Sequence, residues 1–164
     1  MQLISALAGI VFAVAYIPYV RAILRGETKP QKASWLIWAI LDTVTLAGMF
    51  AKHAVNGQII GAIVGAWVVV ILSVRYGKLG WTWLDKACLG GAALAVVLWL
   101  AFDSPLIGLV TSLSATFIGS IPTFQNVWSN PQEEDKFAWT LYWSSGVLAV
   151  IAAPSWALAD SAQP

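Results

Sequence analysis

Hydrophobic positions along this chain neither alternate nor form a one-sided stripe. They run for a helix length at a time and are broken by short polar connections. The runs fall at about 3–24, 34–51, 58–74, 86–102, 105–128 and 137–158. Stretches of roughly 17–25 apolar residues can cross the hydrocarbon core of a bilayer as helices. Backbone groups in lipid must find their partners within the segment, and no barrel-type alternation offers another solution. The pattern therefore predicts an all-α integral membrane protein with six transmembrane helices.

Composition agrees. Of 164 residues, 59% are hydrophobic and 10% charged, where a soluble domain carries about 25% charged residues. The net charge of +1 leaves no basic face for nucleic acid. Cys88 stands alone, so neither a disulfide framework nor a thiolate cluster is expected, and with His53 the single histidine no metal or cofactor is expected either. The N-terminus lacks the basic region of a cleavable signal, so the first run is expected to be retained.

Basic residues set the orientation. Arg21, Arg25, Lys29 and Lys32 lie in or beside the first connection, Arg75, Lys78 and Lys86 around the third, and Lys136 in the fifth; Lys52 alone falls on the other side. The odd connections are thus expected in the cytoplasm and both termini outside it, in the plasma or inner membrane. Trp81, Trp83, Trp128 and Trp156 read as interfacial belt residues.

A quieter pattern lies beneath the hydropathy. Pro18 and Trp35 are 17 residues apart, as are Pro122 and Trp139. One offset of 104 aligns these pairs, Ile17 with Ile121, Lys32 with Lys136, and Trp38 with Tyr142. The conspicuous Pro30-Gln31 and Pro131-Gln132 pairs are out of that register. Both copies span the end of one helix, a cytoplasmic loop and the start of the next. Four helices separate them, an even number, so they are parallel repeats about an axis along the membrane normal.

Pro18-Tyr19, the polar loop Gly26-Glu27-Thr28-Lys29, and Ser34-Trp35 together resemble the PQ-loop and SWEET (SemiSWEET-like) superfamily of small-solute transporters. The resemblance implies a three-helix repeat over 3–76, a loop and linker helix over 77–103, and a second repeat over 104–164 that lacks its last helix. A shortened chain, or a partner chain such as a second copy in a homo-oligomer, would account for the missing helix. Tyr19 and Thr123 stand where the family's Gln follows the motif proline. A nicotinamide riboside type of vitamin transporter has a related architecture.

Asp42 is the one charged residue near the middle of a span. Such a charge costs roughly 2.5–3.5 kcal/mol on insertion scales and marks a cavity or pathway. At helical spacing Trp35, Trp38, Asp42, Thr45 and Met49 share a face. Trp139, Tyr142 and Trp143 occupy the corresponding stretch of span six, where Gly146 replaces Asp42. Flat rings with a few polar groups suit a neutral polar solute or a cation. Trp35, Trp38, Asp42, Thr45, Trp139 and Tyr142 are the candidate substrate-binding residues. Held as the neutral acid, Asp42 would couple transport to proton movement, or serve only as a hydrogen-bond partner between helices. Pro18 and Pro122 each remove an intrahelical hydrogen bond, and are candidate hinges or static kinks. Gly57, Gly61 and Gly65, like Gly119 with Ser112, Thr116 and Thr123, read first as packing seams. Trp67 is divided between lipid and pore, and Glu133, Glu134 and Asp135 read as a solvated loop.

Two function classes follow. One is a transporter moving a small polar solute, sugar-like or vitamin- and nucleoside-like, by alternating access. The other is a non-transporting scaffold or receptor-like subunit of the same fold. No paired carboxylates, Ser-His set or metal-ligand spacing appears within the spans, so an enzyme is not expected.

Overall fold

The computed structural model describes residues 2–51, 57–101 and 105–152. Lys52, His53 and Trp156 lie outside the described residues, as does the side chain of Met49. Six α-helices follow one another: α1 (Gln2–Leu24), α2 (Lys32–Ala51), α3 (Gly57–Tyr76), α4 (Trp83–Ala101), α5 (Pro105–Ser129) and α6 (Lys136–Ile151). A short 3-10 turn, Pro131–Glu133, precedes α6. No strand occurs among the described residues. Two segments, Leu3–Leu24 and Ile59–Tyr76, are long and apolar enough to cross a membrane.

Local chemistry fixes the helix ends. Gly26, at φ 73°, follows α1 in the left-handed region, which costs glycine nothing. Its N–H donates to Ile23 O and that of Glu27 to Ala22 O, the paired bonds that terminate a helix in a Schellman motif. Thr82 and Asp85 cap α4 reciprocally: Asp85 N–H donates to Thr82 Oγ1 at 3.1 Å, and Thr82 N–H to Asp85 Oδ2 at 2.8 Å. Asp135 caps α6 by accepting from Ala138 N–H at 2.6 Å. Pro18 and Pro122 both lie inside continuous helices.

Helix α1 packs on α6 and α3, α2 packs on α3, α5 and α4, and α4 packs on α5. Small residues permit these approaches. A Cβ at Gly65 would run into the Tyr16 ring, and one at Gly119 would come within 2.7 Å of Ile37 Cγ2. Both glycines are packing seams, as their spacing predicts. Tyr16 OH donates to Ala62 O at 3.2 Å, tying α1 to α3, and Ser145 Oγ donates to Ala8 O at 2.8 Å, tying α6 to α1.

The distribution of side chains is inverted relative to a water-soluble bundle. Buried positions are rich in alanine, including Ala8, Ala15, Ala22, Ala62 and Ala66. Large apolar side chains face outward in helical stripes: Leu3, Leu7, Ile10, Val14 and Ile17 on α1, and Ile60, Val64, Trp67, Ile71 and Val74 on α3. Contiguous exposed apolar surface of this kind marks contact with a membrane or a partner.

The first, third and fifth connections meet at one end of the bundle. Glu133 takes Lys29 Nζ on Oε1 at 2.8 Å and Lys78 Nζ on Oε2 at 3.0 Å, and Lys29 N–H donates to Glu133 O at 3.0 Å. The solvated-loop reading of the acidic run is therefore corrected. Glu133 is clamped between two lysines that hold its carboxyl below the usual carboxylate range, Asp135 caps a helix, and Glu134 is buried.

Candidate functional site

A cavity of about 360 Å³ lies between α1, α2, α3, α5 and α6, within the size range of small-molecule sites. All six candidate residues line it: Trp35, Trp38, Asp42 and Thr45 from α2, and Trp139 and Tyr142 from α6. Their convergence follows from the spacing of three and four residues on α2, which aligns one face, and from the packing of α6 across from it on α1. Phe12, Tyr16, Leu41, Ala66 and Thr116 complete the lining. The hinge candidates Pro18 and Pro122 lie outside it, as does Trp67, whose Nε1–H donates to Thr43 Oγ1 at 3.1 Å.

Five of the lining rings form a closed circuit. Trp35 meets Trp38 at 5.2 Å between centroids, Trp38 meets Trp139 at 6.2 Å, and Trp139 meets Tyr142 at 5.7 Å. Tyr142 meets Tyr16 at 5.3 Å, and Tyr16 returns to Trp35 at 6.1 Å. The angles between neighbouring rings run from 57° to 82°, so the rings stand as walls of a box and not as a stack. Steep pairs of this kind add about 0.5–1.5 kcal/mol each beyond burial.

At the loop end this box has a floor. Tyr19 is fully buried and touches Trp35, Trp139 and Tyr142. Trp35 Nε1–H donates to Tyr19 OH at 3.2 Å, and Tyr19 OH donates to Glu134 Oε2 at 3.0 Å. Trp139 Nε1–H donates to the same oxygen at 3.0 Å, and Asn126 Nδ2–H donates to Oε1 at 3.2 Å. Glu134 thus gathers α1, α5 and α6 in one knot, with α2 joined through Trp35. Ser34 Oγ adds a tie by accepting Thr123 N–H at 3.2 Å. Burial raises the Glu134 carboxyl above the ordinary range; the bonds from Trp139, Tyr19 and Asn126 oppose this, and the neighbouring Glu133 charge adds to it.

Away from the floor the lining changes character. Asp42 lies ten residues into α2, about 15 Å from its start at 1.5 Å per residue, and no cation pairs with it among the described residues. Thr45 and Thr116 are exposed and form the opposite rim. The Tyr142 hydroxyl is buried without a hydrogen-bond partner. At Gly146, the counterpart of Asp42, a Cβ would meet nothing within 4 Å.

Sequence reasoning missed four contributors. Phe12, Tyr16 and Tyr19 sit at helical spacing on α1 and form an aromatic stripe that could have been read. Glu134 could not, because nothing in an acidic run says which carboxylate turns inward. The site stands on its own geometry: no family model, curated relative or solved structure matches this chain.

Proposed function

We propose that this chain is a membrane transporter moving a small polar solute by alternating access, built on a SWEET-like duplicated bundle. The observation that carries this reading is the cavity, with a carboxylate halfway along α2 that no cation pairs among the described residues and a hydrogen-bonded floor at the loop end. With the odd connections in the cytoplasm, the floor is the cytoplasmic gate and the structure is the outward-facing state.

The duplication draws support from packing. Helices α2 and α6 begin at Lys32 and Lys136, the same position of each copy. Exchange of α1 with α5 and of α2 with α6 carries the α1–α6 contact onto the α2–α5 contact, and both occur. Lys29 and Glu133 are 104 positions apart and pair directly, as equivalent residues do beside a two-fold axis. The six-span reading is supported by outward apolar stripes on α1 and α3. Pro18 and Pro122, just above the gate on α1 and α5, are the proposed hinges.

The test is uptake and efflux in proteoliposomes with a panel of sugars, nucleosides, vitamins and amines, read beside proton movement. The wild type carries at least one solute, and Asp42→Asn lowers that flux by an order of magnitude or more with the fold intact. Absence of flux for every solute, together with unaffected binding in Asp42→Asn, overturns the reading in favour of a non-transporting subunit.

A further inference from the structure

The polar atoms of the box narrow the chemistry of what it holds. A sugar is recognised by many hydrogen bonds to its hydroxyls, and tryptophan N–H and tyrosine O–H groups would be natural donors here. Of the five such groups in the lining, Trp38 Nε1–H and the buried Tyr142 OH have no bond to the protein among the described residues, and the other three are already committed to it. Trp35 Nε1–H is bound to Tyr19, Trp139 Nε1–H to Glu134, and Tyr16 OH to Ala62 O. Thr116 Oγ1 also donates to a backbone carbonyl, Ser112 O, at 3.1 Å. What these residues offer a ligand is mainly aromatic surface.

Against that surface stands one carboxylate. Asp42 lines the cavity, no lysine or arginine does, and no cation of the protein reaches it among the described residues. A bare negative charge at that depth is costly, and a bound cation would offset the cost. Aromatic walls attract cations through the negative faces of their rings, and steeply inclined rings present faces on several sides of an enclosed ion. Five rings in a closed circuit with a single counter-ion are therefore matched to a compact organic cation.

We propose that the cavity is an aromatic cage for a monovalent organic cation, a quaternary or protonated amine, with Asp42 as its counter-ion. This deepens the transport reading and rests on it for the claim that the cation crosses the membrane. The cage itself stands on the geometry alone. Trp38 and Tyr142 supply its central walls, and Thr45 serves a polar substituent of the ligand.

The test is equilibrium binding of radiolabelled choline to the purified protein in lipid nanodiscs. Two competitors are used: 3,3-dimethylbutan-1-ol, which has choline's shape without its charge, and glucose. Choline binds saturably, and the neutral isostere and glucose compete at least about tenfold more weakly, a factor equal to about 1.4 kcal/mol. Asp42→Asn lowers choline affinity at least tenfold, Asp42→Glu restores much of it, and Trp38→Ala weakens it with the charge retained. Thermal melting of each variant shows whether its fold is intact. Equal competition by the isostere, absence of saturable choline binding, or unchanged affinity in a folded Asp42→Asn variant overturns the proposal. Choline binding without flux sinks transport and leaves the cage standing, whereas flux of a neutral solute unaffected by Asp42→Asn sinks the cage and leaves transport.

Discussion

The two ends of the cavity are made from similar residues and treated in opposite ways. At the loop end, Tyr19, Trp35, Trp139 and Asn126 are tied together through the Glu134 carboxylate, although Thr28 Oγ1, Thr123 Oγ1 and Asn126 Oδ1 are buried there without a partner. Away from the floor, Asp42 lines the cavity with no cation paired to it among the described residues. Buried polar groups that satisfy one another hold a shape, and those left open at a cavity wall are available to a ligand. On the proposed reading, the first end is a latch and the second a binding surface.

Removing the acceptor at the centre of the latch should have the largest effect. Glu134→Ala strands the Tyr19, Trp139 and Asn126 donors, each at about 1–3 kcal/mol. The closed arrangement should lose several kcal/mol, seen as a marked fall in melting temperature and faster hydrogen exchange at Lys29–Trp35. Glu134→Gln keeps an uncharged acceptor at the same place and should fall far less. Equal losses in the two variants would mean that packing and not hydrogen bonding holds this end shut.

Next comes Gly65. An added methyl meets the Tyr16 ring and pushes it out of the circuit, so Gly65→Ala should cost about 1–3 kcal/mol as an overpacking change and weaken ligand binding. Gly146→Ala should cost nothing measurable, because its Cβ enters open space. Melting curves of the two variants side by side test whether the α1–α3 seam is close-packed where the Gly146 face of α6 is open.

A smaller effect follows from acid. Burial gives Glu134 a higher proton affinity in the closed latch than in the solvated loop it becomes on opening. Falling pH should therefore favour closure, and that preference should be lost as pH rises through the raised value. Hydrogen exchange at the loop end, followed from mildly acidic to neutral pH and corrected for the base-catalysed intrinsic rate, should show less protection as pH rises, and in Glu134→Gln that change in protection should be lost. Smallest of all is Trp67→Phe, which removes one hydrogen bond outside the cavity and should leave ligand binding unchanged.

The helices and half of the box were legible in the sequence because each leaves a periodic trace. Apolar runs mark the starts of α1 to α6 to within a few residues, although the last run, 137–158, extends past the end of α6 at Ile151, and spacing on α2 puts Trp35, Trp38, Asp42 and Thr45 on one face. The offset of 104 then carries that face to Trp139 and Tyr142. Glu134 was not legible, because its burial comes from the meeting of three connections distant in sequence. Charged runs in loops are ordinarily solvated, and here the lysines hold Glu133 while Tyr19, Trp139 and Asn126 bond its neighbour inside. The glycine seams were readable as seams, but not that Gly65 receives a cavity ring.

On the proposed reading, the cavity opens to one side at a time under control of the Glu134 latch. Labelling of a Thr45→Cys variant by a membrane-impermeant maleimide tests it directly, in sealed vesicles of either orientation and with Cys88 replaced by alanine. The account predicts labelling from the non-cytoplasmic side in the otherwise native protein, and a shift toward cytoplasmic labelling when Glu134→Ala is added. Equal labelling from both sides, or a pattern that Glu134→Ala leaves unchanged, would contradict it.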